Sequence, residues 1–569
     1  MIITIDNKTI ECEEGETIHQ VARRVGIDIP ALCYHSDLPI KANCRLCVVE
    51  IEGMDRLQTS CSTKVKEGMV VKTETDEILQ TRKVNLELLF AAHVEKCPTC
   101  VYDNRCKIQD LAEKYNIKID DRMKDRKHGR ETYVFGKAVK IDLSKCVDCQ
   151  NCVDACQLQQ ARFLETRGKG YKTQILPADD GTKDCIYCGQ CVAHCPVGAA
   201  SEYNNINEVE EAIRKLDKIV VAQIAPSIRS SIGEEFDYAG GMVSVQQLAE
   251  AMRIIGFDKV FDTCVGADIT TIEEAKELVE RLETGNNLPM MTSCCPGWVK
   301  YVEFYHPEFI PNLTTVRSPQ TILGGIVKTY YARLQGINPE DIVVVSVMPC
   351  TAKKFEIARD ELKLENGIAP VDYVLTTREM AVLLKKYKVN PFNVKGCPLD
   401  NPLGDPTGAG IIYGASGGVM ESAIRTAYFM VMGEEFQGIN YEKVRGIKGI
   451  KRGTLKLGGR DLRVVATSGM ENAVKILEEA RQNPYVYDYI EIMACPGGCI
   501  GGGGQPIPVD DTIRLRRAKA LYALDQNSPI RVAHKNQSVI KFYEDFLDEE
   551  DGREELLYTH FRNRKIGRR

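Results

Sequence analysis

Two hydrophobic rhythms divide the chain. Near its start Ile3 and Ile5 alternate with polar residues, Asp6–Asn7 supplies a turn, and Ile10 resumes the alternation, which predicts a β-hairpin. A helix is predicted from Thr17 through Val25, with Gly26 closing it. Residues 79–118 read as helical and carry Leu86, Leu88, Leu89 and Phe90. From residue 210 to about 505 the rhythm changes. Unbroken apolar runs at Ile219–Ile224 and Ile342–Val347 predict buried parallel strands, and stretches such as Ile272–Leu282 predict the helices between them. That is α/β architecture. Beyond Gln505 the chain becomes polar and helical, with apolar stripes at Ala518–Leu524 and Ile540–Leu547.

Composition narrows the class. A chain of 569 residues has room for roughly three to five domains of about 100–200 residues each. A hydrophobic content of 44% supports a sizeable core. The net charge of −6, with no long block of one sign, argues against nucleic-acid or anionic-membrane binding. The opening MIITIDNKTIECEEGETI carries acids where an export leader needs a basic region and an apolar run. No apolar stretch approaches about 18 residues, so no membrane span is expected and the protein is placed in the cytoplasm.

Twenty-three cysteines change the picture most. In a long chain without an export leader, cysteines clustered as C-x-x-C point to metal binding rather than to disulfides. Cys33, Cys44, Cys47 and Cys61 have the spacing C-x10-C-x2-C-x13-C. Four such thiolates suit a [2Fe–2S] cluster, whereas a zinc ribbon would want two C-x-x-C pairs. With the hairpin and helix before it, this segment resembles the plant-type ferredoxin domain, a β-grasp fold, although its first spacing exceeds the usual plant x4. His93, Cys97, Cys100 and Cys106 follow. Taken alone they suit tetrahedral zinc as well as an iron–sulfur cluster. The strongest local signal is Cys146-x2-Cys149-x2-Cys152-x3-Cys156 followed by Cys185-x2-Cys188-x2-Cys191-x3-Cys195-Pro196. In this two-cluster ferredoxin run the fourth cysteine of each run ligates the other cluster. One cluster would take Cys146, Cys149, Cys152 and Cys195; the other would take Cys185, Cys188, Cys191 and Cys156.

Three later segments go beyond electron transfer: TSCCPGW at 292–298, MPCTAKKFE at 348–356 and EIMACPGGCIGGGGQP at 491–506. Each sets cysteine beside Pro or Gly in a loop after an apolar strand, the place where open α/β sheets gather ligands. Four dispersed thiolates meeting there would suit one more cubane. Together the three segments resemble the signature motifs of [FeFe]-hydrogenases. The order of the accessory cysteine sets resembles that of the large clostridial-type members, so the resemblance spans the chain. The His93 set, in this context, resembles a [4Fe–4S] site that such enzymes share with the electron-input subunit of complex I.

The resemblance implies a multidomain α+β and α/β protein. Its parts would be a [2Fe–2S] domain at 1–78, a small helical His/Cys3 domain at 79–126, a two-cluster domain at 127–208, a two-lobed H-cluster domain at 209–505 and a helical small-subunit-like extension at 506–569. It implies one [2Fe–2S] cluster, three accessory [4Fe–4S] clusters and an H-cluster, a cubane joined to a two-iron unit with CO, cyanide and a bridging dithiolate. Cys295, Cys350, Cys495 and Cys499 would hold the cubane, with Cys499 bridging. Lys353 would donate to one cyanide and the turn Ala225-Pro226-Ser227 to the other. Met348 and Met493 would pack against the two-iron unit, and Ser318 and Gln320 would line the pocket, though ordinary packing explains each of these as well. Cys294, the spare member of the adjacent pair, would pass protons onward through Glu274, Thr314 and Glu277. Without the resemblance, two glutamates at i, i+3 read as a solvated acidic face.

The expected reaction is the interconversion of H2 with protons and electrons. The electrons would go to ferredoxin, to flavin-bearing NADH dehydrogenase-like subunits, or to both. The glycine run Gly501–Gly504 lacks a following Lys-Ser/Thr, so no phosphate-binding loop is read there. A non-catalytic electron-input subunit would leave the three late motifs idle. A hydrogen-sensing relative would lack the cysteine found at position 294. An assembly-factor relative would lack the surrounding Met and Lys residues. Cys12, Cys264 and Cys397 receive no role beyond packing, and Trp298, the single tryptophan, is expected to pack beneath the cluster loop.

Overall fold

The computed structural model describes residues 1–91, 93, 102, 106–117, 131–242, 245–436, 438, 440–547 and 553–565. Cys97 and Cys100 lie outside the described residues.

The opening hairpin pairs Ile2–Ile5 with Lys8–Glu11, and its turn residues Asp6 and Asn7 take left-handed φ of 46° and 67°. Short polar side chains tolerate that region better than others do. The helix Ile18–Arg24 starts on a reciprocal cap: the Gln20 N–H donates to Thr17 Oγ1, and the Thr17 N–H donates to Gln20 Oε1. It packs through Ile18, Val21 and Ala22 on Ile3, Ile5, Val49 and Val71 of a five-stranded sheet. The first strand runs parallel to Val70–Lys72, the arrangement of a β-grasp.

The helix Asp76–Ala91 buries Leu86 and Phe90, while Leu88 is 50% exposed, because one helix face cannot bury four nearly consecutive apolar residues. In the two-cluster unit Ala200–Glu202, Val139–Asp142 and Thr132–Phe135 form a three-stranded antiparallel sheet. The duplicated cysteine runs share one backbone signature. Asp148 and Gln150 in the first, and Tyr187 and Gly189 in the second, all have φ between 55° and 68°. Left-handed residues at alternate positions curl each loop so that N–H groups face the sulfurs: Asp148 N donates to Cys146 Sγ at 3.3 Å and Tyr187 N to Cys185 Sγ at 3.4 Å.

The largest unit has two lobes. In one, the strands Lys259–Asp262, Ile219–Ile224, Ile342–Met348 and Tyr373–Thr376 lie side by side, all parallel. In the other, Met290–Met291, Tyr489–Met493 and Arg460–Ser468 are parallel, and Ile450–Leu457 adds an antiparallel edge. The helix Thr263–Thr284 is buried along nearly all of its first half, so its side chains face protein rather than water there. The helix Asp511–Asn527 and the short helices after it wrap this unit. Residues 557–559 join the 315–317 segment through Arg317 N to the Leu557 carbonyl at 2.7 Å and Thr559 N to the Thr315 carbonyl at 2.8 Å. Among the described residues no helix is long and apolar enough to cross a membrane.

Candidate active site and its electron relay

The strands ending at Ile224, Met291, Met348 and Met493 deliver Ala225–Ser227, Thr292–Cys295, Pro349–Cys350 and Ala494–Cys499. All four loops leave the carboxyl ends of strands, where open α/β sheets place ligands. Cys350 lies within the electrostatic reach of Cys295, and Cys495 within that of Cys350, Cys295 and Cys499. Burial pushes all four thiols above their usual range. Four soft donors held together away from water are a suitable donor set for iron. Trp298 is fully buried behind them, its Nε1–H donating to the Thr292 carbonyl at 2.9 Å.

Lys353 Nζ donates to the Cys294 carbonyl at 3.2 Å and to both oxygens of Glu356, at 2.8 and 3.0 Å. Glu356 also accepts from Ser318 Oγ at 2.9 Å and Gln320 Nε2 at 2.6 Å. Sequence reasoning missed Glu356. Its signal was present in the i, i+3 spacing to Lys353 at the end of MPCTAKKFE. Met348 and Met493 are buried at their strand ends. Pro226 opens a short 3-10 turn, and the buried Ser227 has no partner for its Oγ; Gln320 Oε1 is likewise unpartnered. Buried polar atoms without partners are uncommon in folded proteins and call for a bound group.

Glu274 is buried, and neither carboxylate oxygen has a hydrogen-bond partner. Burial, followed by the charges of Glu277 and Glu491, lifts it far above the usual carboxylate range. It acts in turn on Cys294, whose thiol is pushed up by burial and then by Glu274. Glu277 is not the exposed like charge that its spacing suggested. It pairs with Arg281 and accepts from Thr314 Oγ1 at 2.6 Å and from Thr315 N at 3.1 Å. Thr314 is therefore bonded to Glu277 and not to Glu274. Glu277 borders a surface groove of about 830 Å³ that Tyr558 and His560 help to line. Two further groups escaped the sequence reading: Glu491, which accepts from Gly417 N and Met420 N, and Tyr413, whose hydroxyl meets Thr271 Oγ1 at 2.9 Å. Cys264 packs in an apolar cluster with Ile411, Ile500 and Leu521, and its Sγ also accepts from Arg229 Nη2 at 3.3 Å. Cys12 is buried in the N-terminal core, and Cys397 is partly exposed.

Among the described residues, further cysteines lie side by side. Cys47 and Cys61 sulfurs lie 3.3 Å apart, Cys33 Sγ accepts from Cys44 N at 3.4 Å, and Cys61 feels the charges of all three. His93 Nδ1 meets the Lys145 carbonyl at 2.7 Å, which puts the ring proton on Nδ1 and the lone pair on Nε2. Cys106, of the same set, is buried. Cys152 feels Cys146, Cys149 and Cys195, and Cys185 feels Cys191, Cys188 and Cys156, so each run exchanges its fourth member with the other. The second set touches the strand-end loops directly. Cys495 Sγ lies 3.9 Å from the Cys188 carbonyl, Thr351 Oγ1 donates to the Tyr187 carbonyl at 2.7 Å, and Gln190 Nε2 donates to the Gly501 carbonyl at 3.0 Å.

Glycine makes that seam possible. A Cβ on Gly503 would lie 2.3 Å from the Cys188 carbonyl oxygen and 2.5 Å from the Gly189 Cα. Gly503→Ala is expected to cost about 1–3 kcal/mol by overpacking and to push the two cysteine sets apart. Denaturant unfolding reads the first effect. The second appears as slower hydrogen-driven bleaching of the accessory clusters, and bleaching at the parent rate would refute it.

These thiol sets, strung from the N-terminal sheet to the buried strand-end loops, define a multi-cluster iron–sulfur oxidoreductase. Residues 218–503 match the family described as iron only hydrogenase large subunit, C-terminal domain, and 511–564 match iron hydrogenase small subunit. Ahead of them, 1–76 match a 2Fe-2S iron-sulfur cluster binding domain, 82–120 the NADH-ubiquinone oxidoreductase-G iron-sulfur binding region and 138–196 a 4Fe-4S dicluster domain. The chain is 40% identical to the NADP-reducing hydrogenase subunit HndD of Solidesulfovibrio fructosivorans, over 99% of each chain. It is 36% identical to iron hydrogenase 1 of Clostridium pasteurianum, over 99% of this chain and all of the relative. Among solved structures, [FeFe]-hydrogenase HydA1 from Chlamydomonas reinhardtii superposes with a TM-score of 0.58 at 36% identity, covering 63% of this chain and 99% of that one. The chain belongs to the [FeFe]-hydrogenases. It is a hydrogenase with accessory iron–sulfur domains, catalysing the interconversion of H2 with protons and electrons.

Proposed function

We propose that Cys295, Cys350, Cys495 and Cys499 hold the cubane of an H-cluster whose two-iron unit carries CO, cyanide and a bridging dithiolate, and that three accessory [4Fe–4S] clusters and one [2Fe–2S] cluster feed it. When bound, this group supplies the redox-active irons and the open position at which hydrogen is split. The observation that carries the reading is the meeting of four thiols from three strand-end loops, beside unpartnered Ser227 and Gln320 atoms. The Ser227 hydroxyl suits a diatomic ligand that accepts hydrogen bonds. Lys353, which donates to the Cys294 carbonyl and to both Glu356 oxygens, turns one of these N–H groups to the cofactor when the cofactor is bound.

Protons move between Cys294 and Glu274 inside the protein and leave through Thr314 and Glu277 to the groove. Glu274 suits this task because it stays protonated over a pH range in which a solvated carboxylate has lost its proton, and because no fixed partner competes for it. The five-part division at 78, 126, 208 and 505 belongs to the same reading. Electrons pass to a partner subunit. The relative HndD is named as a subunit of an NADP-reducing enzyme and matches end to end, and the present chain has no phosphate-binding glycine loop of its own. A flavin-bearing, nucleotide-oxidising subunit, with or without ferredoxin, fits that need.

Infrared spectroscopy of anaerobically matured protein tests the proposal. Metal-bound CO and cyanide bands are expected, together with a protonated carboxyl band that persists above the pH at which solvated carboxylates ionise and that Glu274→Gln removes. Absence of the CO and cyanide bands would overturn the cofactor assignment. Persistence of the carboxyl band in the variant would overturn the proton route.

A further inference from the structure

The ten residues between Cys33 and Cys44 make a longer loop than a plant-type cluster requires, and nothing above gives them a task. Three of them reach out of the N-terminal domain. The ring of His35 stands edge-on to that of His194 in the two-cluster unit, with centroids 4.3 Å apart and planes at 65°. Asp37 pairs with Arg514 of the C-terminal helix and lies 3.5 Å from His194 Nε2. Lys41 pairs with Asp154 on the helix Asn151–Leu158.

Both sides of this contact are anchored. The Asp37 N–H donates to His35 Nδ1 at 3.2 Å, and His194 Nδ1 donates to the Gln190 carbonyl at 2.7 Å. Arg514 also pairs with Asp511 at 2.7 Å and packs on the Gly497–Gly501 loop, where a Cβ at Gly501 would come within 3.1 Å of its Nε. His35, Asp37 and His194 have the composition of a metal site, their ligand atoms lying within 4.8 Å of one another. The guanidinium of Arg514 already neutralises Asp37, however, and a cation seated there would face that charge. The position of the rings suggests another task. His35 is two residues from Cys33, and His194 adjoins Cys195, whose thiol belongs with Cys146, Cys149 and Cys152.

We propose that the Cys33–Cys44 spacer is a docking loop that couples the [2Fe–2S] site to the first [4Fe–4S] site, with the His35–His194 ring contact as the crossing point for electrons. The proposal rests on the cluster assignments of the preceding subsection. Electron tunnelling falls steeply with the width of a gap, and two rings in contact conduct where a solvent-filled cleft between domains would not. The ion pairs of Asp37 and Lys41 hold that gap closed. Each H2 oxidised leaves two protons and two electrons. At the contact the electrons cross singly, the [4Fe–4S] cluster being oxidised by one electron as the [2Fe–2S] cluster is reduced by one.

Freeze-quench electron paramagnetic resonance after mixing the oxidised holoenzyme with hydrogen tests this. The rate at which the reduced [2Fe–2S] signal appears is expected to fall several-fold or more in His35→Ala and to recover in His35→Phe, which keeps a ring at the contact. Asp37→Asn, which keeps both rings and removes only the charge toward Arg514, is expected to show a smaller slowing. Iron content and signal shape report whether the cluster itself is intact. If His35→Ala loses the cluster, the phenylalanine and asparagine variants carry the test. Signal growth at the parent rate in the alanine variant, a phenylalanine variant slower than Asp37→Asn, or an unslowed Asp37→Asn would overturn the proposal. A parent enzyme without any [2Fe–2S] signal would instead overturn the cluster assignment.

Discussion

Replacing Cys294 with alanine is expected to lower hydrogen turnover by about 10²–10⁴-fold, the usual contribution of a positioned proton-transfer group. Three observations lead there. Cys294 adjoins Cys295, yet its own environment is set by Glu274 and Lys353 as much as by the neighbouring thiols. Burial and the Glu274 charge both favour the protonated thiol, which has a proton to give. The carboxyl that acts on it, Glu274, has two oxygens without a hydrogen-bond partner among the described residues to take it. Alanine removes only the sulfur, so iron content and the infrared bands of the cofactor should match those of the parent. Hydrogen evolution from a reduced viologen, alongside iron analysis, makes the comparison. Turnover close to that of the parent with full iron content would remove Cys294 from the route.

The largest stability effect is expected at Glu303, which has no part in the proposed proton route. This carboxylate sits on the helix Pro296–Tyr305, whose first turn follows directly on Cys295. It is fully buried and accepts from Arg359 Nη1 and Nη2 at 3.0 and 2.8 Å, from Arg564 Nε at 2.6 Å and from the Arg562 N–H at 3.1 Å. Glu303→Ala would leave two guanidiniums inside the protein with Glu361 as their remaining carboxylate. Removing one partner of a buried ion pair costs about 3–5 kcal/mol, because the remaining charge keeps its desolvation penalty. Chemical denaturation of the iron-free protein reads that loss directly. A midpoint unchanged from the parent would show that the clasp adds nothing.

Much of this was legible along the chain wherever the signal was local. Asp6–Asn7 announced a turn because few residue types accept left-handed backbone, and Thr17 announced a helix through a cap completed three residues later. The runs Ile219–Ile224 and Ile342–Val347 could only be strands buried on both faces, and they lie side by side. The cysteine spacings suggested groupings, since thiols with two residues between them readily reach a common centre. What stayed hidden depends on partners hundreds of residues away. Glu277 looked like half of a repulsive pair until Arg281 and the Thr314–Thr315 segment were seen around it. Glu491 gave no sign of its burial, because its hydrogen bonds come from backbone at Gly417 and Met420. The glycines at 189 and 503 belong to motifs of separate domains; a Cβ on 503 would strike Cys188 and Gly189, and one on 189 would strike Thr351, contacts that no local spacing announces.

The strap formed by residues 557–564 has a consequence for how the molecule is made. It lies over the 315–317 segment and pins the helix bearing Glu303, yet the ribosome releases it some 250 residues later, on the order of tens of seconds at about 5–20 residues per second. Through that interval the nascent pocket is held on one side only. The N-terminal modules have meanwhile left the exit tunnel and can fill with iron. Synthesis therefore orders the work: the wiring can be laid first, and the chamber it serves is closed by residues that emerge later.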